Sequence, residues 1–542
     1  MKKLLFILLF SQFYFAQKWS ISFAERNALL NIYNATSGNQ WSQQWNFEKD
    51  PKTWYGVKVK NGIVTELNLR GNGLKGNFPT NVSSLRNLER LDLSNNQLSG
   101  EVAPSISSLS VLKSIDISNN KFSGDPTVAL VPLTQLTELS LGNNDFQIAD
   151  LEGLLQNFTK LMVLDISHFG LSMVPQKIAQ MPKLMALNIS NNQLTQGFGH
   201  ISSLAKLQDL DISGNALTQI PNELGALTGL VSLNASNNKL GTIFVGPLAN
   251  YKNLEWLSLQ GNDFTAFPPA ITQLTKLVHL NFSDNKIKDG FHTLRVLKNL
   301  EQIFLDKNEI ATFPETLLQL KGLQMLSLTN NKITGEIPDL IPALTFLDNN
   351  RFTTQQIRNF ILKNKKLENF TYSPQRYDEA TTVSVNLGAS ANLQQSLSGG
   401  EYQFTWFKNL DQKTTTTAEN YYISNTQESD FTDYTCEAYY FEELPAELME
   451  VSFFREPITL SKDLGTENVN KGLVVFPNPA TDFLYIKTTR MDIEKVFIHD
   501  LSGKLLYTGN EKRIKVAQLP SATYVISIQT SEGLKSFKFI KH

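Results

Sequence analysis

Residues 88–98, LERLDLSNNQL, set the pattern of this chain. Apolar leucines stand at positions one, four, six and eleven of the stretch, and an asparagine stands at position nine. That asparagine recurs in steps of 23 or 24 residues at Asn72, Asn96, Asn120, Asn144, Asn192, Asn215, Asn238, Asn262, Asn285, Asn308 and Asn331. LMVLDISHFGL bridges the one larger step, with Phe169 in the asparagine position, and a shortened copy ends at Asn350. Such a fixed period predicts a solenoid whose repeats stack on their neighbours.

The pattern L-x-x-L-x-L-x-x-N-x-L is similar to the signature of leucine-rich repeats, and segments such as LSGEVAPSISSLSVL and ITGEIPDLIPAL resemble plant-type repeats. The resemblance implies an α/β right-handed solenoid with short parallel strands on its concave face. It also implies that the asparagine turns inward as a structural ladder, so that Phe169 should cause a local distortion. Prolines between the strands favour irregular or 3₁₀ convex segments. We place about 13 repeats at 64–352.

The alternation of side chains along a strand determines which of them point out of the solenoid. Positions four and six of each repeat point into the core, whereas positions three, five and seven point outward. Side chains at the outward positions are therefore the ones that can contact a ligand.

Two segments outside the repeat pattern are predicted to cap the solenoid. Residues 17–63 resemble the capping region of plant-like bacterial leucine-rich-repeat proteins. They hold four tryptophans and a helix with one face formed by Phe23, Ala28, Leu29 and Tyr33. Residues 353–372 are predicted to form a closing helix with one face formed by Ile357, Phe360, Ile361 and Leu367.

Residues 373–461 change to short β-prone runs such as EYQFTWFKN and DYTCEAYYFEE. Trp406 stands 30 residues before Cys436, the only cysteine, and Tyr434 stands two residues before it. This resembles an immunoglobulin-like sandwich with Trp406 on the third strand and Tyr434 as the corner tyrosine. The resemblance implies that Val385 or Leu387 packs where a first cysteine would lie. Cys436 is then a buried thiol and not a nucleophile.

Residues 462–472 are polar and predict a linker, and residues 473–542 predict a second small β-sandwich with a hairpin at LSGK. FPNPATDFLYI, DLSGKLLY and LPSATYVISI resemble the C-terminal sorting domain of the type IX secretion system, although Ala522 stands where a glycine is common. The resemblance implies an address for the export machinery at the outer membrane of a Gram-negative bacterium. The exported protein is then released or joined to surface lipopolysaccharide.

Charge and targeting signals narrow the class of protein. The formal net charge is -2 and the basic residues are scattered among acids, so nucleic acid is not an expected partner. Residues 1–16, MKKLLFILLFSQFYFA, have the form of a secretory signal and are too short to span a bilayer. We expect a protein without a transmembrane span that is secreted or attached to the outer-membrane surface.

Motifs for catalysis and metal binding do not stand out. The six histidines form no H-E-x-x-H array, so we expect no recognisable zinc site, no cofactor and no enzymatic activity. A column of aspartates occupies position five, namely Asp92, Asp116, Asp165 and Asp211. The repeat consensus explains this column better than calcium does, because calcium sites need a dedicated loop geometry.

The candidate ligand-binding site consists of outward residues that depart from the Asn, Asp or Ser consensus. They cluster in the later repeats: Trp256, Gln260, His279, Gln302, Phe304, Asp306 and Met325. Neighbouring strands lie about 4.8 Å apart, so Trp256 should touch His279, with Phe304 diagonal to them. Clustered exposed aromatic rings are typical anchors for protein or sugar partners. A charged group near the other end, Glu66, Arg70, Arg90 and Glu138, fits a solvated surface.

The sequence thus predicts a monomeric recognition or adhesion protein that binds a protein or polysaccharide through its concave face. The alternative is a structural surface-layer or adhesion component in which the solenoid self-associates. An enzyme with His279 and Asp306 as acid and base is disfavoured, because no nucleophile or metal set accompanies those two residues.

Overall fold

The structure, a computed structural model, describes residues 19–241, 246–364, 369–398, 401–414, 417–445, 448–463, 473–488, 492–531 and 533–542. The predicted signal peptide lies outside the described residues, as does most of the predicted linker. The described residues fall into two compact units. The first extends to Tyr377 and includes 401–403 and 438–454; the second holds the described parts of 378–398, 404–437 and 455–542.

The first unit is built on a 15-stranded sheet that forms the concave face of the predicted solenoid. An antiparallel pair, Val57–Lys60 and Ile63–Asn68, opens the sheet. Parallel strands in register follow, at Arg90–Asp92, Ser114–Asp116, Glu138–Ser140, Val163–Asp165, Ala186–Asn188, Asp209–Asp211, Ser232–Asn234, Trp256–Ser258, His279–Asn281, Gln302–Phe304, Met325–Ser327, Leu344–Phe346 and Phe370–Thr371. Positions four and six are buried, as at Leu257 and Leu259. The strand register thus matches the repeat period of the sequence.

The asparagine ladder predicted at position nine is confirmed. Asn285, for example, donates from Nδ2 to the carbonyl oxygens of Leu259, Phe282 and Ser283 at 3.0, 3.1 and 3.1 Å. Its Oδ1 accepts from the backbone N–H of Phe264 at 3.0 Å. One buried amide therefore satisfies backbone groups in two successive repeats, so its hydrogen bonds hold the two turns together.

Phe169 does not distort the concave sheet, so that prediction is wrong for this face. The strand Val163–Asp165 pairs in register with both neighbours. Asn192 Oδ1 accepts from the N–H groups of Phe169 and Leu171 at 2.9 and 3.0 Å, so the next rung of the ladder holds this turn. A second parallel sheet stops in the repeat before Phe169. It has four strands, Lys75–Asn77, Gln97–Glu101, Lys121–Gly124 and Asp145–Phe146.

The convex side consists of short helical segments, as the prolines between the strands predict. The 3₁₀ segments are Thr80–Ser84, Pro104–Ser108, Gln176–Gln180, Phe198–His200, Asn222–Ala226, Gly246–Asn250, Pro269–Gln273, Phe291–Val296 and Glu315–Gln319. Two single-turn α-helices, Thr127–Leu130 and Leu151–Leu155, join them. In the described ranges no helix combines the length and the apolar character that crossing a membrane requires.

The N-terminal segment covers the first repeat with a helix, Phe23–Ala35, and two 3₁₀ turns, Gly38–Gln40 and Pro51–Thr53. Ser22 and Glu25 form a capping box at the helix start. The helical periodicity predicts Phe23 on the buried face, but the residue is 76% exposed. It is the first residue of the helix, and Glu25 takes the inward place beside it by accepting from the N–H of Val64 at 3.0 Å.

The C-terminal closing helix forms at Thr354–Lys363 and begins with a capping box at Thr353. Ile357, Phe360 and Ile361 are buried as predicted, whereas Leu367 lies outside the described residues. The strand Phe370–Thr371 follows the helix and pairs with Leu344–Phe346, so the concave sheet continues one strand beyond the last predicted repeat.

The segment after the closing helix is composed of strands: Gln375–Tyr377, Thr381–Val385, Ala391–Leu393, Tyr402–Lys408, Gln412–Lys413, Tyr421–Ile423, Asp433–Glu443, Leu448–Arg455 and Ile458–Lys462. Trp406, Tyr434 and Cys436 are all buried. The Tyr434 hydroxyl donates to the carbonyl oxygen of Asp430 at 3.0 Å, and Trp406 Nε1 donates to that of Ala418 at 3.0 Å. Leu387 is 48% exposed, so it does not fill the place of a first cysteine; it lies in the turn after the strand Thr381–Val385.

The last residues form two small antiparallel sheets. One holds Leu473–Phe476, Phe483–Thr488 and Arg513–Lys515, and the other holds Ile493–Asp500, Leu505–Gly509, Ala522–Thr530 and Gly533–Lys541. Side chains from both sheets share one buried core that includes Leu484, Ile498 and Ile526. The predicted LSGK hairpin is present, because Ile493–Asp500 pairs with Leu505–Gly509 around a turn in which Asp500 Oδ1 accepts from the N–H of Lys504 at 3.0 Å.

Candidate functional site

Three aromatic rings lie in a row on the concave face. Trp256 and His279 are direct partners in adjacent strands, and their rings stack with centroids 5.2 Å apart and an interplanar angle of 14°. The His279 and Phe304 centroids are 5.1 Å apart, with a tilt of 38°. All three side chains are half-buried. We call Trp256, His279 and Phe304 the ring platform.

His279 is a neutral ring within this platform. Burial lowers its pKa below the ordinary value of 6.5, and the hydrogen bond to Gln302 opposes that effect. His279 Nδ1 lies 3.0 Å from Gln302 Oε1, which as an amide oxygen accepts the bond. The imidazole is therefore uncharged at neutral pH and presents a flat π surface between its two neighbours.

The other predicted site residues surround the platform in different roles. Gln260 Oε1 accepts from Asn281 Nδ2 at 3.1 Å, which fixes a polar edge beside the rings. Met325 pairs with Gln302 in the adjacent strand, so it extends the row of position-three side chains by one repeat. Asp306 belongs to the scaffold: its Oδ1 accepts from the N–H and the hydroxyl of Thr329, at 2.8 and 2.9 Å, and from Ser327 Oγ.

A depression of about 420 Å³ lies on the other side of Trp256 and was not predicted. It spans the strands from Val163–Asp165 to Trp256–Ser258. Small side chains at position three, Ala186 and Ser232, leave the space open, and the Trp256 ring closes one end. The available signal in the sequence is the pair of small residues, Ala186 and Ser232, on either side of Asp209 at position three and before Trp256.

The depression is acidic. Asp165, Asp209 and Asp211 line it. Burial raises the pKa of Asp165 above its ordinary 3.8, and the negative charges of Asp116 and Asp211 raise it further, although hydrogen bonds from Ser167 oppose both. The Asp165 carboxylate is therefore partly desolvated and repelled by other aspartates at position five.

Apolar character continues on the concave face past the predicted site. Leu344 pairs with Met325, and Phe346 pairs with Ser327, so both follow the ring platform along the sheet. Both are half-buried. They belong to the shortened last copy, whose altered spacing concealed their position.

The charged group near the start of the solenoid is satisfied internally. Arg90 contacts Glu138 at 2.6 Å, Glu138 also accepts from Ser114 Oγ at 2.7 Å, and Lys58 contacts Glu66 at 3.3 Å. Lys58 and Arg90 are exposed, whereas Glu66 and Glu138 are partly buried. Throughout the described ranges, no cluster of three or more His, Cys, Asp or Glu side chains is arranged to hold a metal ion.

Comparison with protein families identifies two parts of the chain. Residues 101–250 match a leucine-rich repeat region, and single leucine-rich repeats match at 87–109, 273–290 and 322–344. Residues 474–542 match a secretion system C-terminal sorting domain. The chain therefore contains leucine-rich repeats followed by a type IX sorting domain.

Solved structures similar to this chain include bacterial and plant proteins. A leucine-rich-repeat protein of Leptospira interrogans is 27% identical, with 56% of this chain and 83% of that chain covered and a TM-score of 0.44. An internalin of Listeria monocytogenes is 28% identical, with 51% and 87% covered and a TM-score of 0.40. The Arabidopsis receptor kinase HAESA, solved in complex with the peptide hormone IDA and the co-receptor SERK1, is 26% identical, with 66% of each chain covered and a TM-score of 0.50.

Proposed function

We propose that this protein is a non-enzymatic recognition protein, exported to the cell surface or the medium, whose concave face binds a macromolecular partner at the ring platform. One observation carries the proposal: Trp256, His279 and Phe304 stack half-exposed across adjacent strands, whereas positions three and five of the repeats before Trp256 carry no aromatic residue. Half-exposed rings in a row are costly for solubility and gain free energy when a partner covers them.

The sorting domain supports export. A type IX sorting domain is an address for secretion, which agrees with the signal-like residues 1–16. We propose that the solenoid is thereby delivered to the outer-membrane surface or released. We also propose an immunoglobulin-like assignment for residues 373–461, on the strength of buried Trp406 and the bond from Tyr434 to Asp430, and a spacer role for it.

The partner is a protein or a polysaccharide. The similarity to HAESA favours a protein, because that receptor was solved with a peptide hormone bound. The stacked rings are compatible with either class, since Trp and His rings cover both apolar side chains and sugar faces.

The test is the double variant Trp256→Ala with Phe304→Ala in the full chain, probed on a combined protein and glycan array. We expect a loss of captured ligand with little change in Tm, because the rings are half-exposed and contribute little to the core. Phe23→Ala is the control, since Phe23 is a more exposed aromatic residue far along the sequence from the platform. Equal binding by the double variant and the wild type would remove the proposed site.

Light scattering over a concentration series separates this proposal from self-association. A recognition protein remains monomeric as concentration rises. A structural surface-layer component grows in mass, and the ring variants would then suppress that growth.

A further inference from the structure

The charges on the concave face have one sign from the middle of the solenoid onward. From Val163 to Asp348, every charged side chain at positions three, five and seven is an aspartate: Asp165, Asp209, Asp211, Asp306 and Asp348. Beside the ring platform, position two adds the exposed residues Glu255 and Glu301. A ligand lying on this face meets negative charge over much of its length.

The scaffold does not need the negative charge at position five. Asp211 Oδ1 accepts from the N–H and Oγ of Ser213 at 2.9 and 2.6 Å. One repeat later, Asn234 Oδ1 accepts the equivalent two bonds from Ser236 at 3.2 and 2.7 Å. An amide therefore does the same structural work without charge. Asp211 differs from Asn234 in one respect, because its second oxygen, Oδ2, accepts from Asn234 Nδ2 at 2.9 Å. An asparagine at 211 would keep the two bonds from Ser213 and lose that one bond along with the charge.

The dimensions of the depression fit a polypeptide. It crosses five strands, which is about 19 Å at 4.8 Å per strand, and an extended chain would span that distance with about six residues. Asp209 and Asp211 lie two strands, or about 10 Å, from Trp256, which is about three residues of extended chain. A long side chain could enter above Ala186 and Ser232 while its neighbours reach the rings.

We propose that the partner at this site is a basic polypeptide segment, with a lysine or arginine seated in the depression against Asp209 and Asp211 and an apolar side chain about three residues away on Trp256 and His279. This inference rests on the proposed function and names its ligand. A cation relieves the repulsion among the carboxylates, and Arg also stacks well on aromatic faces. The same carboxylates repel an anionic polysaccharide.

The experiment uses the full chain and a library of immobilised heptapeptides. One position is Lys, Arg, Gln or Glu, and the position three residues away is Trp, Leu or Ser. We expect the wild type to prefer Lys and Arg peptides over matched Gln peptides by about tenfold, as two charge pairs of roughly threefold each would give. The preference should shrink in high salt, because salt screens exposed charges.

Two charge variants test the cause. Asp209→Asn with Asp211→Asn should lose the tenfold preference, because both charges are removed while the two bonds from Ser213 are kept and only the bond from Asn234 Nδ2 is lost. Asp92→Asn is the matched control: Asp92 Oδ1 accepts from the N–H and Oγ of Ser94 at 2.9 and 2.6 Å, as Asp211 does from Ser213, but Asp92 lies outside the depression. The control should keep the full preference.

The outcomes distinguish this inference from the function on which it rests. Equal capture of Gln and Lys peptides, or capture of neutral glycans alone, would overturn the basic-peptide assignment. If that capture still depended on Trp256 and Phe304, the recognition function would stand. If neither the charge variants nor the ring variants altered any capture, both proposals would fail.

Discussion

Replacing Asn285 by alanine should test how the ladder holds the repeat that carries His279. The side chain is 8% exposed and makes four hydrogen bonds to backbone groups. The three carbonyl groups that it contacts each keep another donor: Asn262 for Leu259, Asn308 for Phe282, and the N–H of Gly261 for Ser283. The N–H of Phe264 loses its acceptor, so it becomes the orphaned group.

The expected loss is about 3 kcal/mol in the free energy of unfolding. A buried N–H without a partner costs about 1–3 kcal/mol, and three weakened carbonyl contacts add about 1 kcal/mol in total. Guanidinium unfolding of the full chain, followed by far-UV circular dichroism, measures the change. Asn253→Ala is the control, because the exposed Asn253 donates to the Thr228 carbonyl oxygen at 3.3 Å and accepts from Lys276 Nζ at 2.8 Å, both in contact with solvent, and its loss should cost less than about 0.5 kcal/mol. A loss below about 1 kcal/mol for Asn285→Ala would refute the ladder argument.

Two further predictions concern single polar groups. Asp165→Asn should stabilise the solenoid at neutral pH, because the raised folded-state pKa of Asp165 means that the charged aspartate destabilises the folded state once pH rises through that pKa. Below pH 3.8 the aspartate is protonated in both the folded and the unfolded state, so the stability difference between variant and wild type should close there. Thermal unfolding at several pH values measures this difference, and the absence of such convergence would contradict the prediction. Tyr434→Phe removes the bond to Asp430 while keeping the ring, so it should lower stability by about 1 kcal/mol in urea unfolding, and an unchanged midpoint would show that this bond contributes nothing.

Much of the fold followed from local rules. The leucine spacing fixed which side chains enter the core, and the period of 23 or 24 residues placed each outward position beside its counterpart in the next strand. The contact between Trp256 and His279 is a direct consequence of that register. The capping box of the closing helix was equally local, since Thr353 and Gln356 are three residues apart.

Local rules mispredicted the burial or placement of single residues that lie at the end of an element or in an irregular repeat. Phe23 fits the apolar face of its helix in projection, yet as the first helical residue it extends into solvent. Leu344 and Phe346 lie in a copy whose step is shorter than the others, so the period alone misplaces them. Phe169 lacks the ladder amide, but its N–H still donates to Asn192 Oδ1, as that of Asn215 does to Asn238 Oδ1, and the strand pairing is kept.

The sequence by itself determined the solenoid, its strand register and the row of rings, because each depends on spacing along the chain. Only the tertiary structure decided the depression beside Trp256, because an open space is set by what several separate repeats leave unfilled, as Ala186 and Ser232 do. The raised pKa of Asp165 has the same origin, since burial and the charges of Asp116 and Asp211 act through space across repeats.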